Sequence, residues 1–187
     1  MLIGFCFCGS FCTLSKSLVV LQDLVNKGHQ IIPIFSYNVR DLDTRFWAAK
    51  EFRQKVEEIT GEKVVDSIVG AEPLGPVVKC DIMCVCPCTS NTLSKLRYGI
   101  TDTPVTMAVK AHLRIERPVV IALCSNDALG ASAEVIGEMR NRKHFYFAPL
   151  YQDDTVRKPR SLVTNMDYVV ETIECAAKGI QFQPMHF

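Results

Sequence analysis

The chain alternates short, wholly apolar runs with longer stretches whose apolar residues recur every three or four positions. Residues 2–8 form the first such run and end in Gly9-Ser10, the pattern of a strand buried on both faces. Leu14, Leu18, Leu21 and Val25 then follow helical spacing, with Gly28 as the stop. Residues 31–35 read as a second strand, although Pro33 lacks the amide that a central ladder needs. Residues 45–59 place Phe46, Ala49, Phe52, Val56 and Ile59 on one helical face, closed by Thr60-Gly61. Val64-Val65 reads as a short edge strand, and 71–76, with two prolines and a glycine, as loop. Further strands are predicted over 81–86, 118–124 and 144–148, and helices over 91–97, 105–113, 131–140 and 162–177.

Strands and helices that alternate in this way imply parallel strands joined by crossover helices. The expected architecture is α/β: a three-layer, Rossmann-like, doubly wound parallel sheet of five to six strands, in a single domain over 1–187. Ligands of such folds bind beyond the C-terminal ends of the strands, where strand order reverses. The loops to read for chemistry are therefore 9–13, 36–44, 87–92 and 125–130.

Composition narrows the field. With 21 basic and 20 acidic residues the net charge is +1, which argues against a large nucleic-acid footprint or a polybasic membrane anchor. No apolar run approaches the ~20 residues of a membrane span, and the N-terminus lacks the basic start of a secretory signal. Nine cysteines are the anomaly. Their number is odd and no C-x-x-C occurs, so the expectation is a reduced, cytoplasmic protein with buried free thiols and no metal site. Cys6 and Cys8 should share one strand face, as should Cys84 and Cys86.

The four loops are rich in small polar residues. Gly9-Ser10 leads from a strand into a helix, where backbone amides and a hydroxyl would face an anion, though Gly-Ser is also an ordinary turn. Neither G-x-G-x-x-G nor G-K-[ST] is present. Pro87-Cys88-Thr89-Ser90-Asn91-Thr92 sets more hydroxyl and amide groups at a helix start than capping requires, which suits a phosphate monoester or else a redundant cap. Ser125-Asn126-Asp127 would bond a planar ring edge or form an Asx turn.

The run from Pro87 to Leu96, followed by Gly99-Ile100-Thr101-Asp102, resembles the signature of the flavoprotein family, P-x-T-x-N-T-x-x-K and then G-I-x-D. That family includes homo-oligomeric flavin-containing cysteine decarboxylases and flavin prenyltransferases. Gly9-Ser10 and Ser36, each after a strand, fit its FMN-binding loops. The resemblance extends through Asp66–Val69, Ala71–Pro76, Arg117–Val120, Ser125–Gly130, Gln152–Asp154 with Lys158-Pro159, Met166-Asp167 and Thr172–Glu174. It points to one branch: the smaller chain of a two-chain oxidoreductase that aromatises a dihydropyridine dicarboxylate in spore-forming bacteria.

What the resemblance implies is FMN held by Gly9, Ser10, Ser36, Thr89, Asn91 and Thr92, with Ser125 and Asn126 near the same site. It also implies a homo-oligomer, a dehydrogenase-like partner chain that brings NAD(P), and residence in the mother-cell cytoplasm. Two departures count against decarboxylation. No His lies between His29 and His112, where the family's decarboxylases carry a catalytic one, and 124–129 keeps the Asn of the P-x-M-N-x-x-M clamp but neither Met. An independent FMN enzyme and a non-catalytic supporting chain remain as alternatives.

No catalytic residue emerges from the sequence. His29 and His144 precede strands, His112 ends a helix where a cation suits the dipole, and His186 is in the tail. Asp102 and Asp127 fall nearer the right edge, and Cys88 and Cys124 are the thiols beside the candidate loops. Arg40, Arg45, Arg157, Lys158 and Arg160 are candidates for gripping a dicarboxylate, and 152–160 would equally dock a partner.

Overall fold

The computed structural model describes residues 1–186. In chain order the elements are β1 (Leu2–Phe7), a 3-10 turn (Phe11–Thr13), α1 (Leu14–Asn26), β2 (Gln30–Phe35), α2 (Tyr37–Asp41), α3 (Ala49–Thr60) and α4 (Ile68–Ala71). There follow β3 (Ile82–Cys88), α5 (Ser90–Tyr98), α6 (Pro104–Leu113), β4 (Val119–Ser125), α7 (Ala133–Arg140) and β5 (Phe145–Phe147). The chain continues through β6 (Leu150–Tyr151), β7 (Leu162–Thr164), a second 3-10 turn (Met166–Tyr168) and α8 (Val169–Ala176).

Five strands run parallel in the order β2-β1-β3-β4-β5. The order reverses between β1 and β3, so the crevice beyond their C-terminal ends is where this topology opens a binding site. The sheet is not wholly parallel. β5 leaves β4 after Ile121, and β7 replaces it, antiparallel, opposite Cys124 and Ser125, with β6 beyond.

Strand alternation sorts the core into two faces. Phe5, Phe7, Cys84, Cys86, Val120 and Ala122 meet α1, α3 and α8 on one side. Cys6, Cys8, Met83, Val85, Ile121 and Leu123 meet α5, α6 and α7 on the other. Phe7, Phe35 and Phe52 pack ring on ring at 5.3–5.5 Å between centroids and pin α3 to the β1–β2 side.

Pro33 fits because β2 is the edge strand. Its carbonyl accepts from Val65 N at 2.8 Å on the outer side, so the missing amide falls away from β1. Val65 forms a single bridge to Ile34, the edge pairing expected of 64–65.

Three predicted boundaries change. The helix of 45–59 starts only at Ala49, because Thr44 Oγ1 accepts from the amides of Phe46 and Trp47 and Asp43 accepts from Ala49 N at 2.8 Å. The helix of 162–177 begins at Val169. Its first part, Leu162-Val163-Thr164, is recruited to β4 by backbone pairing, and Asn165 then caps a 3-10 turn. In β3 a register shift between Val85 and Cys88 carries the strand two residues further and turns Cys88 to the face of Cys8 rather than that of Cys84 and Cys86.

All nine cysteines are free, and seven are buried; Cys12 is exposed and Cys175 half-buried. Among the described residues no three His, Cys, Asp or Glu side chains cluster as a metal site would require. No helix there is long and apolar enough to cross a membrane.

Candidate functional site

The β1–β3 crevice contains a cleft of about 300 Å³ lined by Gly9, Ser36, Tyr37, Asn38, Thr89, Asn91, Thr92, Lys95, Asp102 and Thr103. Three strand ends build it. Gly9 follows β1, Ser36 ends β2 and caps the short α2, and Thr89 is the N-cap of α5. A Cβ at Gly9 would stand 3.4 Å from both the Asn38 and Phe11 side chains, so glycine keeps the mouth open.

The hydroxyls in this cleft are not equivalent. Thr89 Oγ1 accepts from Thr92 N at 3.2 Å and donates to Thr92 Oγ1 at 3.1 Å, and Thr92 Oγ1 donates to Cys8 Sγ at 3.3 Å. Both threonine protons are therefore committed to holding the α5 start against β1. Ser36 Oγ is different: it is buried and has no hydrogen-bond partner. A buried hydroxyl without a partner costs free energy, on the order of 1–3 kcal/mol, which a ligand oxygen would recover. The exposed Asn91 amide and the first amides of α5, which no helix can satisfy internally, face the same space.

The electrostatics of the cleft come from neutral groups. Lys95 Nζ is held by both Asp102 oxygens, at 2.9 and 2.8 Å, so the one cation in the described lining is already neutralised. What remains for an anion is the positive end of α5 and a set of uncharged donors, the arrangement that suits phosphate at a helix start. Such a pocket lies at the small end of the ~300–1,000 Å³ usual for ligand sites, enough for the phosphate end of a nucleotide.

Of the eight residues expected at a flavin site, Gly9, Ser36, Thr89, Asn91 and Thr92 line one cleft. Ser10, Ser125 and Asn126 do not line it. The Ser10 carbonyl accepts from Thr13 and closes the 3-10 turn. Ser125 belongs to a second hydroxyl cluster at the end of β4. There Asp127 Oδ1 accepts from Ser125 Oγ at 2.7 Å, Ser90 Oγ at 2.9 Å and Ser132 Oγ at 2.9 Å, and the Ser90 and Ser125 hydroxyls touch each other. These bonds, that of Ser125 foremost, hold the Asp127 carboxyl below its ordinary range. Asn126 is exposed beside this cluster.

Sequence reasoning missed Tyr37, Asn38, Lys95, Asp102 and Thr103 as lining residues. One signal was available, since Lys95 lies four residues after Asn91 and so shares its helix face.

The acid–base candidates fall elsewhere. His112 is buried, its Nε2 bonded to the Pro118 carbonyl at 3.0 Å, and burial pushes it down to about 4. It is thus neutral, which corrects the expectation of a cation serving the helix end. His29 lies beside the N-terminal amine and His186 beside Arg140, and among the described residues no histidine lines the cleft. Burial pushes the Cys88 thiol up, and that of Cys124 up to about 12, so neither is disposed to form a nucleophilic thiolate. Three of the five basic candidates already have acidic partners: Arg40 with Asp41, Arg157 with Asp154 and Lys158 with Asp153.

Comparison with known proteins accords with this geometry. The Flavoprotein family profile matches residues 1–174. The B subunit of dipicolinate synthase from Bacillus subtilis (strain 168) is 42% identical over 183 residues, which cover 98% of this chain and 92% of that protein. The crystal structure of the dipicolinate synthase B subunit from Bacillus halodurans C superposes with a TM-score of 0.91 at 40% identity, covering 100% of this chain and 95% of the other. A dodecameric FMN-dependent decarboxylase from Escherichia coli O157:H7 shares the fold, with a TM-score of 0.67 at 17% identity over 98% of both chains. The chain belongs to the flavoprotein family, and it is similar over essentially its whole length to the B subunit of dipicolinate synthase.

Proposed function

We propose that this chain serves as the B subunit of a dipicolinate synthase, in the mother cell of a spore-forming bacterium, and that it holds FMN in the β1–β3 crevice. Full-length similarity to proteins of that name supports the first part. The single observation that supports the second is the unpartnered, buried Ser36 hydroxyl in a cleft at the switch point of the sheet.

In this reading Ser36, Asn91 and the α5 amides take the phosphate, and Thr89 and Thr92 fix the helix start that presents those amides. Gly9 and Ser10 let the chain pass close to the bound group. Ser125 and Asn126, at the neighbouring β4 end, are placed toward the ring of the cofactor. FMN would supply a two-electron acceptor. The reaction removes two hydrogens from a dihydropyridine dicarboxylate, and NAD(P) on the dehydrogenase-like A subunit of dipicolinate synthase is the final acceptor. The absence of a family decarboxylase histidine and of both clamp methionines favours oxidation over decarboxylation. A homo-oligomer is part of the proposal, because a 300 Å³ cleft leaves a flavin ring to be covered from outside.

The visible spectrum of the purified chain after addition of FMN is the test. Flavin absorbance near one per chain is expected to survive desalting, and its loss would overturn the cofactor assignment. Dipicolinate formation on mixing with the dehydrogenase-like partner, compared with that partner alone, separates a working component from a bystander.

A further inference from the structure

Away from the crevice, a second cavity of about 350 Å³ lies between the end of α5 and the length of α6. Leu96, Ile100, Val109 and Leu113 form its apolar walls, and Lys110, Arg114 and Arg142 stand around it, with no acidic residue in the described lining. Arg142 shares Glu138 with Arg97. Lys110 and Arg114, four residues apart on one face of α6, have no ion-pair partner among the described residues. Like charges at that spacing repel.

The field at this cavity is positive. Two helices end here, and each contributes roughly −0.5 of an elementary charge. Their last carbonyls already accept, Lys95 O from Ile100 N at 2.9 Å and His112 O from Ile115 N at 3.2 Å. Three full positive charges, one of them shared with Glu138, outweigh the two helix ends. An apolar wall of this extent also stays poorly hydrated, with Ile100 45% exposed beside Tyr98 at 66%.

We propose that this cavity is a second ligand site, separate from the crevice, and that it takes a small apolar carboxylate. The ring or chain of such an acid would lie on Leu96, Ile100, Val109 and Leu113, and its carboxylate would bridge Lys110 and Arg114 and relieve their repulsion. The site does not depend on flavin binding in the crevice.

The test uses 2-naphthoate as probe and calorimetric titration of the full chain. One molecule per chain is expected to bind, at least tenfold more weakly to the Lys110→Glu, Arg114→Glu double variant, whose two positions are exposed and leave the core intact. Binding to a Thr89→Ala, Asn91→Ala chain should be unchanged, and 2-naphthamide, which lacks the charge, should not compete. Equal binding by the charge-reversed variant, or loss of binding in the crevice variant, would overturn the proposal. So would failure of the native chain to bind, including the case where sedimentation shows copies of the chain covering Tyr98 and Ile100. FMN titration of the charge-reversed variant keeps the two sites apart, since its flavin affinity is expected to stay native.

Discussion

Two hydroxyl-rich regions sit side by side at the C-terminal edge of the sheet and behave in opposite ways. At the end of β4, Ser90, Ser125 and Ser132 all donate to one oxygen of Asp127, so the cluster satisfies itself. In the crevice beside it, Ser36 is buried with no partner. A serine counts toward binding only when its hydrogen-bonding capacity is unspent, and residue type alone does not report that. The first region is a clasp joining the α5 start, β4 and the approach to α7. The second is a site.

Removing the clasp's acceptor should have the largest effect. Asp127→Ala leaves three hydroxyls without their common partner and is expected to cost about 3 kcal/mol in denaturant unfolding, given ~1–3 kcal/mol per bond to a charged group and partial exposure. The carboxyl is held low in the fold, so its contribution is complete above the unfolded value of about 3.9 and disappears as pH falls through the lower folded value. The stability curves of native and variant chains should therefore converge in acid; a constant gap down to the lowest pH would show that packing, not charge, sets the difference.

The crevice should respond in affinity rather than in stability. Thr89→Ala with Asn91→Ala is expected to weaken FMN at least thirtyfold, about 2 kcal/mol, with roughly 1 kcal/mol of stability lost through the missing cap. Unchanged flavin affinity would move the phosphate elsewhere. Ser36→Ala gives the sharpest contrast with the clasp: about tenfold weaker FMN binding and a change in unfolding free energy within about 0.5 kcal/mol, because no protein bond is broken. If this variant loses stability as Asp127→Ala does, the distinction between clasp and site fails.

Thiol labelling makes the smallest demand. Iodoacetamide at a pH of about 8 should modify the exposed Cys12 well before Cys88 and Cys124, whose thiols burial holds protonated. Mass spectrometry of tryptic peptides over time reads the order. Early modification of Cys88 would mean that the floor of the crevice opens readily.

Much of the frame is visible in the chain itself. Apolar runs at 2–8, 81–86 and 118–124, separated by amphipathic segments, encode burial directly, so the layers and the parallel core follow from local pattern. The same locality explains the errors. Residues 162–164 carry apolar spacing compatible with a helix, and only the free edge of β4 above Ile121 makes them a strand. Pro33 is out of place in a central strand and at home in β2, whose outer side turns to Val65.

By itself the sequence determined the fold class, the reduced thiols and the loops in which chemistry would be found. It did so because periodicity, turn residues and family signature are all properties of neighbouring positions. Only the tertiary structure decided which of the hydroxyls in those loops are spent. Ser90 reaches Asp127 across 37 positions and Thr92 reaches Cys8 across 84, while Ser36 reaches nothing. Hydrogen bonds are made at about 3 Å in space, and no local pattern records which distant group will be there.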